Sequence, residues 1–293
     1  MTTQWSNDNT DDLADIFDEI QGDEERAADG MSQVFLGALV DLADDINAQM
    51  GVPVDDIKAS EIVYISLVLD NTVSTEYNKN YQEIVKGYNH YILELSKANG
   101  AMNMYVCANL IDGTPLYPYL SVNDAPLLTT RGVDLKVDPV TGRTEEGDRR
   151  VESFYPTASS TPLYDSYFTT AGGAKVKVKG TENKGAEGRS LTIVFSDGDD
   201  TGSHKVGPQE CSELSASMLR EEIHILAMVV VPYPHVDVKA VGMSMGIPER
   251  FILEPNEDNL LEYFGFLSQV TQTVSQSADS FTKLQSGGFK ADL

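Results

Sequence analysis

The chain has little positive charge for its size. It carries 21 lysines and arginines against 46 aspartates and glutamates, which gives a formal net charge of −25. A field of that sign repels nucleic-acid phosphates and anionic membrane surfaces, and it attracts basic partners and divalent cations. The composition therefore argues against a nucleic-acid-binding protein. An apolar content of 41% is still ample for a buried core.

Cysteines and long apolar runs are scarce as well. Cys107 and Cys211 are far apart and form no CxxC pattern, which is typical of ordinary thiols in a reducing compartment. The longest apolar stretch, residues 225–231, is far short of the roughly 20 residues that span a bilayer. Acidic residues stand where a signal peptide would need a basic flank and an apolar core. We therefore expect a soluble, cytoplasmic protein that makes no membrane contact.

Motifs for catalysis are missing too. The sequence has no G-x-x-x-x-G-K-[ST] phosphate loop and no G-x-S-x-G nucleophile elbow. Of its four histidines, His90 and His224 fall inside a predicted helix and a predicted strand, where a structural role is usual. No nucleophile or general base with a supporting partner can be named, so we expect a protein that is not an enzyme. A Ser-His-Asp triad and a metal-dependent hydrolase stay open as lesser alternatives.

The N-terminal part differs in character from the remainder. Residues 1–30 are acidic and polar and are predicted to be a flexible tail. Four apolar side chains within it recur at helical spacing, a pattern able to fold onto a partner: Leu13, Ile16, Phe17 and Ile20. Residues 31–58 are interpreted as an amphipathic helix over 32–50 and a linker, with Gly51 and Pro53 ending the helix.

Strands and helices alternate over residues 59–278. This alternation predicts an α/β domain with a doubly wound, mostly parallel sheet and helices on both faces. Two insertions are expected, an irregular or hairpin segment near 124–156 and an exposed β-ribbon near 171–189, and residues 279–293 are expected to form a C-terminal tail. The predicted strands cover 61–69, 102–110, 116–120, 191–195, 223–231 and 251–253, and the predicted helices cover 78–98, 161–169, 211–222 and 256–278.

Polar residues follow two of these strands directly. Asp70, Thr72 and Ser74 come after the first strand, Asp197 follows the strand over 191–195, and Thr161 begins the intervening helix. Ligands of open parallel sheets bind at the carboxyl ends of the strands. Two carboxylates and three hydroxyls form an all-oxygen set of the kind that Mg²⁺ or Mn²⁺ prefers. Neutral hydroxyls leave such an ion electrophilic, with a position open to an outside carboxylate.

Each of these motifs alone is commonly structural. Asp, Ser and Thr often cap helices after strands, Ser-Asp-Gly-Asp is an ordinary turn, and Thr-Pro is an ordinary helix start. Their occurrence together, in this order and at these strand ends, favours a metal site over three unrelated caps.

Asp70-x-Thr72-x-Ser74, Thr161-Pro-Leu-Tyr and Phe195-Ser-Asp197-Gly resemble the three loops of the metal-ion-dependent adhesion site of the von Willebrand factor A (vWA) family. The resemblance implies that the hydroxyls of Thr72, Ser74 and Thr161 bind the ion and that Asp70 and Asp197 bind it directly or through water. The family's first motif is D-x-S-x-S, so Thr72 keeps the hydroxyl and adds a methyl group. Alternative hydroxyls for the second loop lie just upstream, at Thr157, Ser159 and Ser160.

The resemblance implies a metal-dependent protein-binding module that acts as a cytoplasmic adaptor or assembly factor. Its partner would supply a Glu or Asp carboxylate to the ion. Stand-alone intracellular members of the family often work beside a MoxR-type AAA+ ATPase, so such a partner is expected here. The alternative is a structural subunit of a larger assembly, such as a virion or a secretion apparatus, in which the 32–50 helix and the insertions make permanent contacts.

Overall fold

The computed structural model of the chain describes residues 45–46, 49–51, 61–133, 135–136, 138, 141, 143–144, 148–231, 233–234, 236–254, 260–276 and 278–288. The predicted acidic tail over residues 1–30 lies outside the described residues. So does most of the predicted helix and linker over 31–58. No helix in the described part is long and apolar enough to cross a membrane.

The described strands are β1 (Glu61–Leu69), β2 (Met104–Leu110), β3 (Pro115–Ser121), β4 (Leu127–Thr129), β5 (Val151–Ser153), β6 (Glu187–Ser196), β7 (His224–Val230) and β8 (Ile252–Leu253). A six-stranded sheet in the order β3-β2-β1-β6-β7-β8 forms the centre of an α/β fold. All neighbouring strands are parallel except β2 and β3, which form an antiparallel pair at one edge. A separate two-stranded parallel sheet joins β4 to β5.

Helices cover both faces of the sheet, as the alternating pattern predicts. On one face the ring of Phe264 stacks on Phe195 of β6, with their centroids 4.4 Å apart. On the other face Tyr64 of β1 makes a 2.7 Å hydrogen bond with Thr181. The described helices are α1 (Asn80–Lys97), α2 (Leu163–Asn183), α3 (Pro208–Arg220), α4 (Val238–Ser244), α5 (Leu260–Gln276) and α6 (Ala278–Gly287).

The exposed β-ribbon predicted near residues 171–189 is wrong. Helix α2 continues to Asn183, and β6 already begins at Glu187. The alternation of lysine and valine indicated a strand with one solvent-exposed face, but Val176, Lys177 and Val178 are all buried. Lys177 is buried because its ammonium group donates a 2.6 Å hydrogen bond to the Met50 carbonyl, so the segment upstream of the sheet covers this side of α2.

The C-terminal tail predicted for residues 279–293 is also incorrect in its first part. Residues 278–287 form helix α6, and both Phe281 and Leu284 are buried. Burying these two side chains offsets the cost of ordering the segment. In the described part of the segment near 124–156, the two short strands β4 and β5 pair in parallel and do not form a hairpin with each other.

Candidate metal centre

The first loop of the candidate centre is folded around the Asp70 carboxylate. Asp70 follows β1 and is fully buried. Its Oδ1 accepts hydrogen bonds from the Thr72 backbone N–H (2.9 Å) and the Thr72 hydroxyl (2.5 Å). The Thr72 hydroxyl also lies 2.6 Å from the hydroxyl of Ser74. Because Thr72 gives its only hydroxyl hydrogen to Asp70, Ser74 is the donor in that contact.

The loop after β6 meets the first loop at the same edge of the sheet. Asp70 Oδ2 accepts hydrogen bonds from the Ser196 hydroxyl (3.0 Å) and the Asp197 backbone N–H (3.4 Å). Gly198 allows the turn that follows, since its φ of 78° lies in the left-handed region and a Cβ there would stand 2.7 Å from Val238. The carboxylates of Asp70 and Asp197 are therefore buried side by side.

The second loop is hydrogen-bonded to both of the others. Thr157 and Ala158 donate backbone hydrogen bonds to the Asn71 carbonyl, over 2.8 and 3.1 Å. Thr161 exchanges two hydrogen bonds with Thr201: its N–H donates to the Thr201 hydroxyl, and its carbonyl accepts from the Thr201 N–H. The segments 70–74, 157–161 and 197–201, hereafter the site loops, thus form one connected unit.

Asp165, near the start of α2, holds the chain that follows the third loop. Its carboxylate accepts hydrogen bonds from the backbone N–H groups of His204, Lys205 and Val206. Sequence reasoning did not assign Asp165 this role. It also left out Ser196 and Thr201 as supports of the site. Ser196 stands within the quoted Phe195-Ser-Asp197 motif, whereas no local signal points to Thr201.

The buried carboxylates of Asp70 and Asp197 lie in surroundings that disfavour negative charge. Burial, together with the charge of Asp197, raises the pKa of Asp70 to about 6 against the opposing hydrogen bonds from Thr72 and Ser196. Burial also raises the pKa of Asp197, although the nearby Ser74 hydroxyl opposes this shift. Both groups are thus held where their charged forms are disfavoured, as expected for paired buried carboxylates.

The residues present fit a hard divalent cation. Asp197 is 1% exposed, and its Oδ2 has no hydrogen-bond partner among the described residues. An unpaired buried carboxylate oxygen is costly, and a cation removes that cost. Ser74 has one hydroxyl hydrogen for two acceptors, Thr72 and Asp197, and a cation that occupies the hydroxyl lone pairs would free that hydrogen for Asp197.

This set differs from sites built on acidic or soft ligands. Among the described residues, no group of three or more His, Cys, Asp or Glu side chains is arranged to hold a metal ion. The predicted ligand set of the candidate centre consists of two carboxylates and the hydroxyls of Thr72, Ser74 and Thr161. Such a donor set suits Mg²⁺ or Mn²⁺ and does not suit zinc or copper. The assignment of these five residues as ligands remains a prediction.

A serine, a histidine and a glutamate also come together at the opposite end of the sheet. The Ser190 hydroxyl lies 2.6 Å from His224 Nδ1, and His224 Nε2 lies 2.9 Å from Glu221. Although this order is that of a hydrolase triad, Ser190 and His224 are fully buried. A substrate has no access to the hydroxyl, so we interpret the group as a structural link between β6, β7 and the end of α3.

No protein-family model and no curated protein matches the chain. Structures with a related shape include the pilus adhesin SpaC of Lactobacillus rhamnosus GG, at 8% identity and a TM-score of 0.46 over 74% of this chain and 30% of that one. Proximal thread matrix protein 1 of the mussel byssus has 15% identity and a TM-score of 0.44, over 73% and 47% of the two chains. Manganese-loaded TRAP protein of Plasmodium vivax has 13% identity and a TM-score of 0.39, over 70% and 74%. The chain spans less than half the length of the first two.

Proposed function

We propose that the chain is a vWA-type protein-binding module that holds Mg²⁺ or Mn²⁺ at Asp70, Thr72, Ser74, Thr161 and Asp197 and uses it to bind a carboxylate of a partner protein. The observation that carries the proposal is the unpartnered, buried Oδ2 of Asp197 beside the equally buried Asp70. The bound ion would supply an electrophilic position for an incoming Glu or Asp.

Binding, and not catalysis, is the proposed activity. The site loops supply hydroxyls and carboxylates that orient one another, and none of these groups is paired with a histidine or lysine base. Cytoplasmic placement is part of the proposal, and it agrees with Cys107 and Cys211 being buried and free of a disulfide. A MoxR-type AAA+ ATPase is the partner that the motif resemblance suggests, and affinity capture from native extract in Mg²⁺ and in EDTA tests it.

The first experiment is the melting temperature (Tm) in EDTA and in excess Mg²⁺ or Mn²⁺, for the wild type and for Asp197→Ala. A ligand at 100 times its Kd stabilises the folded state by about 2.7 kcal/mol. For a domain of this size that corresponds to a rise in Tm of roughly 5–10 °C. We expect the rise in the wild type and none in the variant. An equal rise in Tm in both proteins would show that the ion binds outside these loops.

Asp70→Ala removes a proposed ligand and leaves the apolar core intact, but it also removes the acceptor of hydrogen bonds from Thr72, Ser196 and Asp197. The variant is expected to keep a cooperative thermal transition, at a lower Tm, and to lose partner capture. Capture that is equal for wild type, Asp70→Ala and EDTA-treated protein would contradict the proposal. Stable self-assembly on size exclusion that chelation leaves unchanged would favour the structural-subunit alternative.

A further inference from the structure

Exposed apolar side chains gather around the site loops. Four of the six exposed large hydrophobic residues of the described chain lie at this edge, and together they are called the apolar rim. Two rim residues, Tyr77 and Tyr233, contact each other edge to face, with ring centroids 5.9 Å apart. The rim consists of Val73 (55% exposed), Tyr77 (44%), Tyr155 (38%) and Tyr233 (38%).

Backbone contacts connect the apolar rim to the site loops. Val73 stands between Thr72 and Ser74 and donates a 3.1 Å hydrogen bond to the Ala158 carbonyl. Tyr155 is two residues before Thr157, which binds the Asn71 carbonyl. An incoming carboxylate at the ion would therefore bring its flanking side chains against these rings. Such a surface fits a segment in which acidic and large apolar residues alternate closely.

The chain enters the domain beside this same edge. The carboxylate of Asp45 lies 2.6 Å from the ammonium of Lys205, in the stretch held by Asp165 next to the third site loop. Residues 49–51 are anchored further on, where the Gln49 carbonyl accepts from the Tyr119 N–H (3.0 Å) and the Met50 carbonyl accepts from Lys177 (2.6 Å). The sequence upstream of Asp45 therefore starts beside the stretch that follows the third site loop.

That upstream sequence contains a segment of the required chemistry. Residues 11–20, DDLADIFDEI, hold five acids and four large apolar residues. The 24 residues from 21 to 44 measure roughly 35 Å as a helix and about 80 Å when extended, and either length can cross one edge of a domain. A tethered segment acts at an effective concentration in the millimolar range, so even a weak contact is populated.

We propose that residues 11–20 are a ligand of the chain's own metal centre, with one carboxylate on the ion and the neighbouring apolar side chains on the apolar rim. This inference rests on the proposed metal site. Docking is expected to depend on the ion, because the ion binds one carboxylate of the segment. The exposed acids Glu76 and Asp199 repel an acidic segment, and Arg131, which lies over the ring of Tyr155, attracts it. A partner's carboxylate must displace the tail, which makes the tail a built-in competitor.

Trp5 is the only tryptophan of the chain and lies six residues before this segment, so it reports on docking in the full-length protein. The experiment measures Trp5 fluorescence anisotropy in EDTA and after addition of Mg²⁺, with the Tm recorded on the same samples. We expect a Mg²⁺-dependent rise in anisotropy that does not change with protein concentration. The rise should disappear when all five acids of the segment are neutralised (Asp11→Asn, Asp12→Asn, Asp15→Asn, Asp18→Asn and Glu19→Gln) and in Tyr77→Ser/Tyr233→Ser.

The matched control is Met102→Ser, which removes an 80% exposed apolar side chain that is not part of the rim, and it should leave the rise intact. The Tm response to Mg²⁺ should persist in Tyr77→Ser/Tyr233→Ser, because no proposed ligand is altered. If the Tm of the wild type does not change on addition of Mg²⁺, the proposed metal site itself is contradicted. If the Tm responds to Mg²⁺ but the anisotropy does not change, the tail proposal alone is overturned. A rise in anisotropy that grows with protein concentration also overturns it, because it indicates docking between copies.

Discussion

The backbone N–H of Asp197 points at Oδ2 of Asp70 over 3.4 Å, and this contact brings the only two carboxylates of the candidate centre together. Asp70 follows β1 and Asp197 follows β6, which are neighbours in the sheet. Their parallel pairing, Leu69 beside Phe195, places Asp70 level with Ser196 and one residue before Asp197. The sheet therefore forces together two charges that repel each other unless a cation lies between them.

Replacing Asp197 by Asn is expected to raise the Tm in EDTA while abolishing the response to Mg²⁺. Asn removes the repulsion with Asp70 and converts an unpaired buried oxygen into a group that can donate to that carboxylate. The gain should be on the order of 1 kcal/mol in the free energy of unfolding. Glu222→Gln, which neutralises an exposed acid at the opposite end of the sheet, serves as the control and should change neither quantity. A lower Tm in EDTA for Asp197→Asn would argue against the repulsion.

The hydroxyl of Thr72, and not its methyl group, is expected to matter for the ion. Thr72→Ser keeps the hydrogen bond to Asp70 and should keep the Mg²⁺-dependent rise in Tm. Thr72→Val has nearly the same shape but no hydroxyl, and should lose both the rise and about 1–2 kcal/mol of stability in EDTA. Isothermal titration with Mn²⁺ checks the pair directly. Equal affinities for the Ser and Val variants would remove Thr72 from the ligand set.

Low pH is expected to destabilise the end of the sheet opposite to the site loops. Burial raises the pKa of Glu221, but its contacts with His224 and Lys175 outweigh burial and lower that pKa to about 2. A carboxyl with a lowered folded-state pKa contributes stability that is present above its unfolded pKa, near 4.5, and is lost as the pH falls towards 2. Glu221→Gln should therefore show a shallower fall in Tm between pH 4.5 and 2 than the wild type.

His224 acts in the same direction at a higher pH. Burial lowers its pKa, so the folded state resists its protonation and stability declines as the pH falls below about 6.5. In chemical-denaturation curves recorded from pH 7 to pH 5, His224→Gln should lose less stability than the wild type. Parallel pH profiles for the two proteins would show that this histidine is uncoupled from folding.

Gly87→Ala is expected to destabilise the protein even though alanine favours helices. A Cβ at Gly87 of α1 would stand 1.9 Å from the ring of Phe264, which is stacked on Phe195 just before Ser196 and Asp197. Overpacking of this kind typically costs about 1–3 kcal/mol, more than the roughly 1 kcal/mol that Ala gains over Gly in a helix. Denaturant titration gives the sign. Gly180→Ala in α2, where a Cβ has open space, is the control and should be neutral or stabilising.

Much of this architecture follows from local sequence. The run Glu61–Leu69 is apolar and rich in branched residues, and it forms the central strand over the predicted bounds. Periodicity likewise placed α1, α3, β6 and β7 within a few residues, because each buries a face whose spacing matches its own geometry. The polar residues after β1 and β6 could be singled out for the same reason, since strand ends of a parallel sheet share an edge.

Other features were decided only by contacts distant in sequence. Lys177 is buried with its ammonium group donating a hydrogen bond to the Met50 carbonyl, more than a hundred residues upstream, and this contact contradicts the prediction of an exposed ribbon. Thr201 supports Thr161 through a contact across 40 residues. Residue types and their order were enough to determine the strand and helix periods, the net charge and the oxygen-rich set at the strand ends. Tertiary structure alone decided which buried polar groups find partners and which, like Asp197 Oδ2, do not, because hydrogen bonding and desolvation depend on neighbours that only the folded chain brings together.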